Sequence, residues 1–86
     1  MNQFIKSKPR VSLTPGASIR IAREIMGWSQ NALAERSGIP QSTISGIESN
    51  KITLGVERAK KLAIVLSVHP SVLLFPQWEV KPFKAG

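Results

Sequence analysis

One stretch constrains this chain more than any other: Trp28 to Lys51, reading WSQNALAERSGIPQSTISGIESNK. It holds two short runs, Gln30 to Ser37 and Gln41 to Ser49, with apolar residues at helical spacing. Ser29 stands before the first run as an N-cap, because its hydroxyl can accept from an unpaired backbone N–H. Ala32 follows where a full capping box would carry Glu or Gln. Gly38 ends the run and permits the left-handed conformation of a tight turn. Pro40 opens the second run, where a missing N–H does no harm, and Asn50 stops it. Leu33, Ala34, Ile44 and Ile47 point inward, and Ala34 is small where the two helices cross. That leaves Gln41, Ser42, Ser45 and Gly46 outward on one side.

The same reading extends outward. A first helix fits Ala17 to Met26, with Ile19, Ala22, Ile25 and Met26 as its apolar face and Gly27 as its stop. A fourth fits Val56 to Leu66, with Val56, Ala59, Leu62, Ala63 and Leu66 as a stripe and Arg58, Lys60 and Lys61 facing away. A fifth fits Pro70 to Leu74. The fold class is all-α: five short helices in one domain over residues 16–75, behind an N-terminal arm, 1–15, and before a C-terminal tail, 76–86. Val11 and Leu13 in the arm could at most form a marginal strand.

Charge says what such a domain meets. Twelve Lys and Arg stand against five Asp and Glu, a net +7 in 86 residues, which favours an anionic partner: nucleic acid first, an acidic membrane second. The charge is uneven. Residues 1–23 carry five basic side chains and no acid (Lys6, Lys8, Arg10, Arg20, Arg23), and Lys51, Arg58, Lys60 and Lys61 follow the central stretch. Between them, Gln41, Ser42 and Ser45 are short, neutral and able to hydrogen-bond, where an ordinary outer helix face carries Lys and Glu. Such a pattern grips phosphate at the flanks and reads base edges from the middle.

Other function classes have little to stand on. With no cysteine there is no disulfide framework and no thiolate ligand, which fits a reducing cytosol. The chain has one histidine, no aspartate, and glutamates without paired-carboxylate or metal spacing, so neither an enzyme nor a cofactor is expected. His69 before Pro70 reads as a cap or a surface residue, and Trp28 as core. No apolar run approaches the roughly 20 residues of a membrane span, and the fourth helix lacks the aromatics of a membrane-surface helix.

The order and spacing of Arg23, Gly27, Ser29-Gln30, Leu33-Ala34, Gly38, Ile44-Ser45, Ile47-Glu48 and Leu62-Ala63 resemble the phage-repressor type of helix-turn-helix protein, the Xre or Cro family. The resemblance covers about Ile19 to Leu74. It implies a cytoplasmic regulator of a prokaryote or phage, a homodimer on a two-fold symmetric operator. Base reading would fall to Gln41, Ser42, Ser45 and Gly46, and phosphate contact to Ser29, Gln30, Thr43, Ser49, Asn50 and Lys51. Gln30 would also buttress Gln41, and Arg23 and Glu48 would form a structural ion pair. Two departures stand out. Pro40 replaces a usual Ser or Thr, and the third helix has no Arg or Lys for a guanine, which points to A·T-leaning readout. Many small members of the family are antitoxins that also bind a toxin protein. Phe75, Trp78 and Val80, with Phe4, Ile5 and Phe83, are the residues for a dimer or partner contact.

Overall fold

The computed structural model describes residues 13–77. Five helices make up its elements: α1 (Pro15–Ile25), α2 (Gln30–Ser37), α3 (Gln41–Glu48), α4 (Val56–Leu66) and α5 (Pro70–Leu74). The all-α expectation holds, and no strand occurs among the described residues. Leu13 belongs to no element, and Val11, Phe4, Ile5, Trp78, Val80 and Phe83 lie outside the described residues.

Local chemistry sets most boundaries. Helix α1 starts two residues ahead of the expected Ala17: Thr14 Oγ1 accepts from the Ala17 N–H at 3.1 Å, with Pro15 at the first helical position. At its other end Gly27 takes φ 76°, and the N–H groups of Trp28 and Gly27 donate back to the carbonyls of Arg23 and Glu24. Ser29 Oγ accepts from the Ala32 N–H at 3.0 Å, opening α2 as read. Gly38, φ 75°, closes α2. Pro40 makes no side-chain cap for α3, and Asn50, φ 64°, turns the chain after it. His69 caps α5, its Nδ1 accepting from the Ser71 N–H at 3.1 Å.

One core holds the helices together. Ile19, Leu33, Ile44, Ile47, Leu62 and Leu73 are fully buried, so every helix contributes. Each such side chain stabilises the fold by about 1.5–3 kcal/mol relative to exposure. Ile39 and Leu54 add anchors from the connections. Trp28 packs partly against this core, with the Arg36 guanidinium 4.4 Å over its ring. Ser18, a buried polar group, donates to the carbonyls of Pro15 and Leu73.

Three expected core residues are outside it. Ile25 is 79% exposed, because six residues of helix past Ile19 carry it about 120° off the buried face. Met26, expected on that face, is exposed as well. Val56 is exposed at the first position of α4, on the rim of a stripe whose centre is Ala59, Leu62, Ala63 and Leu66. Gly16, by contrast, is buried. A Cβ there would stand 2.1 Å from the Ile47 carbonyl oxygen and 2.8 Å from Asn50 Oδ1, so only glycine lets α1 meet the end of α3 this closely.

Candidate nucleic-acid interface

Helices α2 and α3 are joined by Gly38, Ile39 and Pro40, with Ile39 buried as the pin of the turn. Because Ile44 and Ile47 are buried, the opposite side of α3 faces solvent. Gln41 and Ser42 are exposed there, and Ser45, one turn on, is half-buried.

A polar network ties this face to the interior. Arg23 Nε and Nη2 donate to the two carboxylate oxygens of Glu48 at 2.8 and 2.9 Å. Arg23 Nη1 donates to the Trp28 carbonyl at 2.8 Å, which the Gly27 turn brings within reach. The pair is nearly covered, its side chains 11% and 5% exposed. The hydrogen bond to Glu48 outweighs burial and raises the pKa of Arg23 above its ordinary value. Gln30 Nε2 donates to Glu48 Oε1 at 3.0 Å, and Gln41 Nε2 donates to Gln30 Oε1 at 2.7 Å. A continuous path of hydrogen bonds therefore runs from Arg23 on α1 to the exposed amide of Gln41.

Other residues singled out in the sequence sit differently. Gly46 is not an open outward position. Its carbonyl accepts from the N–H groups of Lys51 and Ile52, and a Cβ on it would lie 2.5 Å from Ile52 Cδ1. Ile52 fills the space in front of Gly46, so a side chain at this position would have to displace it. Thr43 is half-buried on a different side of α3 from Gln41, two residues and about 200° away. The Ser29 hydroxyl caps α2, and the Ser49 hydroxyl donates to the Gly46 carbonyl at 3.2 Å. Asn50 Oδ1 lies against Gly16 of α1. Gln30 is half-buried at the start of α2, and Lys51 is exposed just past α3. Phe75 is 58% exposed at the end of α5.

The exposed positive charge lies outside α3. Lys51, Arg58, Lys60 and Lys61 are exposed, with Lys60 only 3.9 Å from Glu57 in a solvent-accessible pair of little energetic weight. Arg20 is engaged with Glu24 at 3.2 Å on the surface of α1. Among the described residues no three His, Cys, Asp or Glu side chains group to hold a metal ion.

Two residues that shape the site escaped the sequence reading: Gly16, which seats α3 on α1, and Ile52, which covers Gly46. The run Gly16-Ala17-Ser18 hints at close packing by its small side chains, but nothing in it names the neighbour.

Two helices crossing through a glycine turn, the second with a neutral hydrogen-bonding face, define a helix-turn-helix domain. The helix-turn-helix family pattern matches residues 19–73, and the chain belongs to this Xre-like family. It is similar to a hypothetical transcription factor of Neisseria meningitidis serogroup B, 31% identical over 62 residues and 72% of this chain. The chain spans 58% of that relative's length. Among solved structures it resembles the P22 c2 repressor, determined in complex with a synthetic operator: TM-score 0.70, 26% identity, covering 74% of this chain and 97% of that one. It also resembles the restriction-modification controller protein C.AhdI from Aeromonas hydrophila: TM-score 0.66, 32% identity, covering 70% and 91%.

Proposed function

We propose that this protein is a sequence-specific DNA-binding transcription regulator, acting as a repressor, that lays α3 in the major groove. The observation that carries the reading is the exposed face of Gln41, Ser42 and half-buried Ser45, neutral and hydrogen-bonding, on a chain of net charge +7. A groove-reading helix needs such side chains, and a merely solvated helix has no reason to exclude charge. Gln41, Ser42 and Ser45 read base edges. Gln30, at a helix N-terminus, and Lys51 hold phosphates. Ser29, Thr43, Ser49 and Asn50 complete the backbone contacts through main-chain or side-chain groups. No helix among the described residues is long and apolar enough to cross a membrane. A DNA partner fits a cytoplasmic protein, prokaryotic or phage.

One α3 reads too few bases for useful specificity, so the protein acts as a homodimer on two half-sites about one DNA turn apart. Exposed Ile64, Val72 and Phe75 on α4 and α5 supply apolar surface for the second copy. An antitoxin would use the same residues for a toxin. The transcription factor, repressor and controller among the similar proteins favour the regulator.

The test is binding-site selection by the full chain from random duplexes, followed by affinity measurement across salt concentrations. The expected result is a two-fold symmetric, A·T-leaning site, bound at least about a thousandfold more tightly than random DNA. Recovery of unselected sequences, or of a G·C-only half-site, overturns the reading.

A further inference from the structure

We infer that Glu48, a nearly covered residue inside the domain, determines base specificity by fixing which way the Gln41 amide faces. The inference rests on the DNA reading proposed above and deepens it.

A Gln amide has an oxygen that only accepts and a nitrogen that only donates, so it can stand in either of two opposite orientations. Glu48 is held by two hydrogen bonds from Arg23, at 2.8 and 2.9 Å, and its carboxylate oxygens can only accept. Facing Oε1 of Glu48 at 3.0 Å, Gln30 must therefore present its nitrogen. Its oxygen is then left toward Gln41, 2.7 Å away, and Gln41 must present nitrogen in turn. A reversal of Gln30 would set its oxygen against the carboxylate. Reversing Gln41 alone would set two amide oxygens together. The carboxylate on α3 thus polarises both amides in one sense.

The consequence lies at the exposed end. One Gln41 N–H is taken by Gln30, and when it is the N–H turned away from Oε1, Oε1 and the second N–H are left side by side. That edge is an acceptor next to a donor. Adenine offers a donor at N6 and an acceptor at N7 in the major groove, and matches it with two bonds. Guanine offers acceptors at both O6 and N7, so its O6 meets the Gln41 oxygen. Reversed, the same side chain would offer O6 a donor and lose adenine. The path from Glu48 is what removes the reversed state, so Glu48 and Gln30 are positioning residues for adenine over guanine.

The experiment is binding-site selection with four full-length proteins: wild type, Gln41→Ala, Gln30→Met and the double variant Arg23→Met/Glu48→Met. Gln41→Ala identifies the base position that Gln41 reads. Gln30→Met removes the link but keeps the buried pair. The double variant removes the polarising carboxylate and its counter-charge together and keeps both glutamines. Thermal unfolding establishes that each variant is folded, and Gln30→Met carries the test if the double variant is not. The expected result is that wild type prefers adenine over guanine at that position. In both other variants the preference falls about three- to tenfold, the worth of one hydrogen bond, with neighbouring positions unchanged. An unaltered preference in folded Gln30→Met or in the folded double variant overturns the proposal, as does a wild-type preference for guanine there. Failure of the wild type to select any sequence overturns the DNA reading itself, and is distinct from both.

Discussion

Helices α3 and α4 bury their apolar sides in the same core, Ile44 and Ile47 from one, Ala59, Leu62, Ala63 and Leu66 from the other. Their outer sides share nothing. Helix α4 exposes Arg58, Lys60 and Lys61, as a solvated face commonly does, and Ile64 at 80% exposure. Helix α3 carries one charge, Glu48, and turns it inward onto Arg23. The inner sides of both helices explain the fold and say nothing of function. The outer sides suit different tasks: that of α3 offers selective hydrogen bonds, whereas attraction that any phosphate backbone satisfies is left to exposed cations beyond it, Lys51 first.

The largest way to break this contrast is to strip α3 of its inward charge pairing. Arg23→Met leaves Glu48 covered without a counter-charge, which costs about 3–5 kcal/mol in urea unfolding. Replacing both partners by Met costs far less, because no orphaned charge remains. Equal losses for the single and double variants would show that the pair does not anchor α3. Next in size is Gly16→Ala. The added carbon meets backbone, not a side chain that can swing aside, and α1 must part from α3. The expected cost is about 3 kcal/mol, a drop in Tm on the order of 15 °C. An unchanged Tm would contradict the close approach. Ser29→Ala removes the hydroxyl that accepts from the Ala32 N–H, and costs about 1 kcal/mol by thermal unfolding.

The smallest effects sharpen the contrast without touching the fold. Lys51→Ala, beside α3, weakens binding to every duplex equally and lowers the slope of log affinity against log salt by about 1. Lys60→Ala, on α4, leaves that slope unchanged in the same titration, because its side chain belongs to the solvated face. A slope change as large as that of Lys51→Ala would move α4 into the interface.

The parts of this molecule legible from sequence are those set by neighbours along the chain. Ser29, Gly38 and Pro70 mark helix ends through their own chemistry, so α2 and α5 fall where the spacing puts them. Helix α1 begins earlier than expected because Thr14 and Pro15 read equally well as an extended arm and as a helix start. Ile25 and Val56 show the limit of periodicity: a residue can be apolar, near the stripe, and still beyond the reach of any neighbour. Gly46 shows the limit of face assignment. Its side of α3 is open on a helical wheel and closed in the fold, because Ile52 turns back over it. The path from Arg23 through Glu48 and Gln30 to Gln41 joins three helices: the resemblance implied its two ends, Arg23 with Glu48 and Gln30 with Gln41, and only the packing adds the link from Gln30 to Glu48.

The central claim is that the neutral face of α3 selects sequence while charge elsewhere supplies attraction. The most direct test compares dissociation constants of wild type and Gln41→Ala on the selected operator and on random duplex at one salt concentration. The account predicts a loss of about 1–3 kcal/mol on the operator and none on random DNA. Equal losses on both would contradict it.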